Sequence, residues 1–106
     1  MTVIQSRQNA ALRHLARLGR EKKYRRSTGE RLCEGEKMLR EALASGTRVK
    51  TLLAREGWQD ALLDHAAEQG AVLYCAADAL FGLASDVETP QNVVFSCRQP
   101  KWEARD

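Results

Sequence analysis

The residues best suited to chemistry in this sequence form a dense group of cations near its amino-terminal end. The seven residues 20–26 hold five cations and a single anion, with Tyr24 among them. Guanidinium and ammonium groups neutralise phosphates, and an aromatic ring can stack on an unpaired base. A solvated helix face would also be charged, but the density of cations around an aromatic favours contact with RNA.

The distribution of charge along the chain supports the same interpretation. The first 40 residues carry eleven Lys or Arg against four Glu, whereas residues 41–106 carry six cations against ten anions, although the net charge is only +3. A cationic end joined to a neutral or acidic body is typical of proteins that are steered onto nucleic acid.

Residues 9–20 must position part of this group, and their pattern predicts a helix. Leu12 and Leu15 recur at helical spacing and give the segment an apolar face. Another face carries a basic stripe, which Tyr24 would extend if the helix continued. The stripe consists of Arg13, Arg17 and Arg20.

A second candidate site lies where a predicted strand meets a predicted helix, at residues 34–37, here called the Gly35 turn. The first N–H groups of a helix point outward and can bind phosphate or base acceptors. Lys37 and Arg40, one helical turn apart, would extend a cationic rim there. Alternatively, Glu36 only complements the helix dipole, and the sequence leaves both interpretations open.

After residue 30 the pattern alternates between strands and helices. Strands are predicted at 31–34, 49–54, 71–75 and 93–97, and helices at 35–45, 58–69 and 78–83, the last capped by Asp78. This order predicts an α/β layered domain with a small, largely buried sheet. The residues expected on its buried faces are Leu32, Leu52, Val72, Tyr74, Val94 and Phe95. The helix residues expected to point inward are Met38, Leu39, Ala42, Leu43, Trp58, Ala61, Leu62, His65 and Ala66.

Several classes of site are absent from the sequence. It contains no G-x-G-x-x-G or P-loop segment that would cradle a nucleotide. Cys33, Cys75 and Cys97 are odd in number and far apart, which is typical of free buried thiols. His14 and His65 have no partner at ligand spacing. We therefore expect no catalytic residue, no cofactor-binding residue and no metal ligand in this chain.

The length of 106 residues predicts one domain. No apolar run approaches the roughly 18–20 residues that span a bilayer, and residues 1–7 lack the apolar stretch of a secretory signal. We expect a cytoplasmic protein with no membrane partner.

The order and spacing of several short segments resemble the N-terminal substrate-binding domain of SpoU/TrmH RNA ribose methyltransferases, over about residues 3–98. The resemblance implies a three-layer α/β/α sandwich with a small mixed four-stranded sheet, similar to kink-turn-binding ribosomal proteins and preceded by an N-terminal helix. The segments that carry it are residues 4–9, 23–25, 31–36, 41–46 and 83–91.

The resemblance also implies a site and a domain organisation. RNA would be held by Gly35, Glu36 and Lys37 and by a loop at residues 84–91, which includes Thr89 and Gln91. Residues 1–98 would form the RNA substrate-binding domain, with a basic helical extension at 1–29 and an α/β body at 30–98. Residues 99–106 would be a linker to a catalytic domain that lies outside this chain.

The implied partners follow from the family. They are structured RNA, with ribosomal RNA favoured over transfer RNA, and the protein's own C-terminal methyltransferase domain in a homodimeric parent. S-adenosylmethionine would bind that catalytic domain, which methylates a ribose 2′-hydroxyl, and this chain alone would not be catalytic. The RNA-binding residues predicted in total are Arg13, Arg17, Arg20, Lys22, Lys23, Tyr24, Arg25, Arg26, Gly35, Glu36, Lys37, Arg40, Thr89 and Gln91.

Two alternatives remain at this point. One is a freestanding RNA-binding protein of the kink-turn type, against which the basic N-terminal extension and the linker-like tail argue. The other is a protein-interaction or dimerisation module without RNA, against which the arginine-rich stripe argues.

Overall fold

A computed structural model describes residues 1–85 and 91–98 of the chain. Helices and strands follow one another with short connections, and the predicted α/β alternation is confirmed. The elements are β1 (Thr2–Val3), α1 (Ala10–Arg20), α2 (Lys22–Thr28), β2 (Glu30–Glu34), α3 (Glu36–Ser45), β3 (Val49–Arg55), α4 (Ala61–Glu68), β4 (Val72–Ala76), α5 (Asp78–Ala84) and β5 (Val93–Arg98).

The strands form one mixed sheet in the order β1-β4-β3-β5-β2. β1 and β3 both run parallel to β4, whereas β5 runs antiparallel to both β2 and β3. The four predicted strands are confirmed, and β1 makes a fifth. Sequence reasoning missed it because two residues are too short to show an alternating pattern, yet Thr2 and Val3 pair with Tyr74 and Cys75.

Helices cover both faces of the sheet, so the three-layer arrangement is confirmed. On one face, α1 and α5 enclose a cluster that includes Leu12, Leu15 and Phe81. On the other, α3 and α4 enclose a cluster that includes Leu39 and Leu63. Neighbouring residues of one strand supply opposite clusters, because successive side chains of a strand point to opposite faces.

Most of the predicted core is correct. Leu52, Val94 and Phe95 are fully buried. Of the α1 leucines, Leu15 is also fully buried and Leu12 is 2% exposed. Leu32 and Tyr74 are partly buried against the cluster below α1 and α5.

Four residues predicted to be buried are instead exposed, namely Val72 and Met38 and also Ala61 and His65 of α4. Val72 is 54% exposed because it opens β4, outside the two positions at which β1 pairs with that strand. Met38 is 42% exposed, and the buried face of α3 is carried by Leu39 and Leu43.

The predicted ends of two helices are also corrected. α4 begins at Ala61 rather than at residue 58, because the Asp60 side chain accepts a hydrogen bond from the Leu62 N–H and so acts as the N-cap. Its buried residues are Leu63 and Ala66, whereas Ala61 and His65 are exposed. Helix α5 has Ala77 as its N-cap.

Asp78 is the first residue of α5 and does not cap it. Instead it accepts a hydrogen bond from Arg55 Nε at 2.7 Å. This bond to the Arg55 guanidinium lowers the pKa of the Asp78 carboxyl.

The three cysteines are free, and two of them lie together in the core. Cys33 Sγ and Cys97 Sγ are 3.6 Å apart on the neighbouring strands β2 and β5. The hydrogen bond to Cys97, followed by burial, raises the pKa of the Cys33 thiol far above its usual range. A thiol held neutral in this way is a poor nucleophile, so the prediction of structural thiols agrees with the packing.

Candidate functional site

The basic run 20–26 is divided between two helices. α1 ends at Arg20, because Glu21 adopts an extended backbone with φ −116° and ψ 106°, and α2 begins at Lys22. The helix does not continue to Tyr24, so the condition under which Tyr24 would extend the stripe is not met. The break nevertheless brings Tyr24 back against α1, where the Arg17 guanidinium lies over its ring at 3.9 Å from the centroid.

A hydrogen-bonded network holds Tyr24 in this position. The Tyr24 hydroxyl and His14 Nδ1 are 2.6 Å apart, and His14 Nε2 lies 3.1 Å from Glu30 Oε1. Because a carboxylate only accepts, Nε2 donates to Glu30, and a neutral ring then accepts from the tyrosine at Nδ1. The network ties α1, α2 and β2 together with half-buried side chains. Sequence reasoning missed it, since spacings of 10 and 16 residues across a helix break carry no periodic signal.

Arg17 is fixed by a second contact besides Tyr24. Its Nη2 donates to Glu21 Oε1 at 3.1 Å, one helical turn away. The hydrogen bond from Arg17 lowers the pKa of the Glu21 carboxyl, and the same bond raises the pKa of Arg17. Both side chains are nearly half exposed, so the pair stabilises the fold little but orients the guanidinium.

Arg25 differs from its cationic neighbours. Its Nη1 donates to the Leu18 carbonyl at 2.7 Å, one of the carbonyls that the end of α1 leaves without a helical partner. Arg25 is half-buried, and this hydrogen bond connects α2 to α1. Lys22, Lys23 and Arg26 are exposed and make no ion pair among residues 1–85 and 91–98.

The basic stripe of α1 borders an open groove of about 470 Å³, here called the arginine groove. Among the described residues, four arginines and one glutamate line it, here called the rim, together with three apolar residues, here called the floor. The lining residues are Arg7, Arg13, Arg17, Arg20, Glu21, Leu12, Ala16 and Leu83. Arg7 and Leu83 were not among the predicted site residues, because one precedes the helix and the other comes from α5.

The Gly35 turn has the geometry that its glycine permits. Gly35 has φ +99°, a left-handed conformation that favours glycine, and its N–H donates to the Val93 carbonyl at 2.9 Å. A β-carbon at this position would meet the Gln91 side chain at 3.5 Å. The predicted turn and Gln91 are therefore in contact, whereas Thr89 lies outside the described residues.

Two further hydrogen bonds connect the Gly35 turn to the residues beside it. Ser85 Oγ donates to Glu34 Oε2 at 2.9 Å, and Asn92 Nδ2 donates to Glu36 Oε2 at 2.9 Å. The carboxylate of Glu36 is thus bound by an amide side chain. Glu36 is also the first residue of α3, where a carboxylate complements the helix dipole, and its bond to Asn92 connects the turn to the residue that precedes β5.

α5 links the two candidate regions. Leu83 lies on the floor of the arginine groove, and Ser85, two residues later, reaches Glu34 of the Gly35 turn. Two residues of chain span at most about 7 Å, so the groove and the turn are neighbours. Arg40 belongs to α3, in the layer on the opposite side of the sheet from α1, and the structure does not bring it into the groove.

The described part of the chain offers few other sites. Within it, no group of three or more His, Cys, Asp or Glu side chains could hold a metal ion. None of the helices seen there is both long and apolar enough to cross a membrane. The polar chemistry that remains is that of a cationic surface with an apolar groove floor, beside a glycine turn.

Comparisons with known proteins identify the kind of domain that this chain forms. Residues 9–94 match the family described as the MRM3-like substrate-binding domain, and the chain belongs to this family. The resemblance to the substrate-binding domain of SpoU/TrmH methyltransferases is thereby confirmed.

Individual relatives agree with this assignment. The 23S rRNA (guanosine(2553)-2′-O)-methyltransferase RlmP of Bacillus subtilis (strain 168) is 30% identical over 101 residues, covering 95% of this chain and 39% of the relative. An AdoMet-bound rRNA methyltransferase from Sinorhizobium meliloti superposes with a TM-score of 0.81 at 22% identity, covering 93% of this chain and 37% of that one. An RNA 2′-O ribose methyltransferase has a TM-score of 0.76 at 26% identity, covering 94% and 38%. The chain spans about two fifths of the length of each of these relatives.

Proposed function

We propose that this chain docks structured RNA for a SpoU/TrmH-type ribose 2′-O-methyltransferase. The observation that carries the proposal is the arrangement of cations on α1 and α2. Lys22, Lys23 and Arg26 are exposed without ion pairs in the described structure, and the rim of the arginine groove lies directly beside them. Such a surface matches a polyanion and not an ordinary protein partner.

The cations of this surface fall into two groups with different functions. The exposed side chains of Arg13, Arg20 and the three α2 residues engage phosphates and supply salt-dependent affinity. The anchored side chains, Arg17 and Arg25, keep α2 folded against α1, so that the exposed cations are held on one rigid surface. Fixing them in advance lowers the entropic cost of binding.

The Gly35 turn supplies a second contact area beside the first. Gly35 gives the turn the shape that places it against Gln91, Lys37 adds a cation, and Gln91 offers an amide that can read a base edge or a ribose hydroxyl. Glu36 positions the turn through Asn92. Thr89 and Arg40 complete the proposed set, with Arg40 as an outlying cation on α3.

The proposal extends to the whole protein through its relatives. They are methyltransferases of RNA or rRNA, which supports S-adenosylmethionine as the cofactor of a catalytic domain and ribosomal RNA as the substrate. Residues 99–106 then link the RNA-binding domain 1–98 to that catalytic domain, in a homodimeric cytoplasmic enzyme.

A salt titration tests the proposed function. The chain should bind a structured rRNA fragment, and if about six cations engage phosphates the affinity should fall by roughly 10³ between about 50 and 200 mM salt. Lys23→Ala should lower the salt slope by about one unit. Arg48→Ala, which removes one exposed charge just before β3 that belongs to neither contact area, should leave the slope unchanged.

The same titration separates the second class of function. A protein-interaction module would bind the rRNA fragment weakly, and the Lys23 and Arg48 variants would then behave alike. Either result would contradict RNA docking by this surface.

A further inference from the structure

We infer that the arginine groove holds one unpaired nucleotide, with its base on the apolar floor and its flanking phosphates on the arginine rim. This inference rests on the proposed function and goes further, since it states which form of RNA the domain selects. It also adds Arg7 and Leu83 to the binding residues.

The floor of the groove is suited to a flat apolar surface. Leu83 is 40% exposed, although a leucine of this helix could have been buried like its neighbours Phe81 and Ala84. It lines the groove together with Ala16 and Leu12 of α1. Small and aliphatic side chains leave room there between two helices. A nucleobase can make apolar contacts in this space, whereas a phosphate would find no polar partner on the floor.

The rim of the groove is suited to the phosphates on either side of that base. Arg7, Arg13 and Arg20 are exposed and have no ion pair among the residues that the structure describes. Glu21, the only anion among the described residues of the lining, is paired with Arg17. The rim thus presents three cations without an ion pair in the described structure around an apolar floor. This arrangement complements a nucleotide, which has an apolar base between charged phosphates.

Arg17 gives the groove a planar wall. One face of its guanidinium lies on the Tyr24 ring, and its edge is bonded to Glu21. A guanidinium plane fixed on one face can stack a base on the other, as arginine does with unstacked bases of RNA. Tyr24 therefore acts behind Arg17 as a positioning residue and need not touch the RNA itself.

The dimensions of the groove favour one nucleotide over a duplex. A volume of about 470 Å³ lies within the roughly 300–1,000 Å³ of ordinary ligand sites. The bases of a double helix are stacked and paired, so they would leave the apolar floor empty. A bulged or looped-out base can reach it.

A pair of RNA hairpins tests this inference with the 106-residue chain. One hairpin carries a single bulged adenosine, and the other carries an abasic residue at the same place, so that their phosphates are matched. Stacking is tolerant of sequence because every base has a flat face, so this probe does not depend on the natural target. The chain should bind the bulged adenosine about tenfold more tightly than the abasic hairpin, with the same salt slope for both.

Two variants locate the effect in the groove. Leu83→Ala should remove most of the tenfold preference while leaving the affinity for the abasic hairpin unchanged. Val72→Ala, which shortens another exposed apolar side chain far from the groove, should keep the preference. Melting curves of both variants would show that the fold is intact.

The outcomes distinguish the inference from the proposed function. Equal, salt-dependent affinity for the two hairpins would overturn the inference and leave RNA docking in place. A preference that survives in Leu83→Ala would place the base elsewhere and also overturn it. Failure to bind either hairpin at any salt concentration would overturn both.

Discussion

The two contact areas of this domain differ in whether their charged side chains are already bound by other residues of the protein. On α1 and α2, Lys22, Lys23 and Arg26 are exposed without ion pairs in the described structure. At the Gly35 turn, the carboxylates of Glu34 and Glu36 are already bound by Ser85 and Asn92. The first area therefore supplies exposed cations that have no ion pair in the described structure, and the second supplies a backbone of fixed shape. Affinity should depend on charge in the first area and on geometry in the second.

The largest expected effect comes from removing exposed cations of α1 and α2 that have no ion pair in the described structure. Replacing Arg20, Lys22, Lys23 and Arg26 together by Ala should weaken RNA binding by roughly 10³-fold at about 0.1 M salt and lower the salt slope by about four units. The measurement is a fluorescence titration over a range of salt concentrations. These four side chains make no ion pair in the described structure, so the melting temperature should change little. A variant that binds as before would show that the surface is only solvated.

The next effect comes from changing the shape of the turn. Gly35→Ala places a β-carbon at φ +99°, a strained conformation that costs on the order of 1–3 kcal/mol. RNA affinity should fall while the salt slope stays the same, because no cation is lost. Gly29→Ala is the matched control, since Gly29 also has positive φ and a β-carbon there meets nothing within 4 Å. If the two variants lose equal RNA affinity at equal loss of stability, the turn has no contact of its own.

A smaller effect distinguishes anchoring from contact at Tyr24. Tyr24→Phe removes the hydroxyl that meets His14 and should cost about 1 kcal/mol of unfolding free energy. It keeps the ring beneath Arg17, so RNA affinity should hardly change. Tyr24→Ala removes the ring as well and should lose both stability and RNA affinity. Chemical denaturation and an RNA titration on each variant separate the two roles.

The smallest expected effect is a gain. Glu21→Gln removes the one anion that the described residues contribute to the arginine groove, so RNA should bind a few-fold more tightly. Glu68→Gln, on the opposite layer, is the control and should change nothing. A pH titration of the unmodified chain shows the contribution of the same ion pair to stability. Because Arg17 lowers the pKa of Glu21, the pair contributes its small stability above the ordinary glutamate pKa, and that contribution is lost as the pH falls through the lowered value.

The difference between the two areas also shows what the sequence could predict. The leucines of α1 repeat at helical spacing, and four of the five residues 93–97 are apolar, so both elements were predictable from local pattern. Gly35 between a strand and a helix was predictable for the same reason. These features depend only on residues near one another in the sequence.

The remaining features depend on contacts that no local pattern encodes. The break at Glu21 involves neither glycine nor proline, and only that break allows Tyr24 to reach His14 and Arg17. β1 has two residues and exists because β4 offers a free edge. Arg25 was predicted to bind RNA with its neighbours, and its bond to Leu18 gives it a structural role that charge counting could not distinguish.

Mapping the bound surface by nuclear magnetic resonance tests the central claim most directly. Amide resonances of the labelled chain would be followed while a structured rRNA fragment is added. The account predicts that the largest shifts fall in residues 13–26 and in the Gly35 turn, with smaller ones at Leu83. Shifts confined to α4 and the β1–β4 edge, with residues 13–26 unmoved, would contradict it.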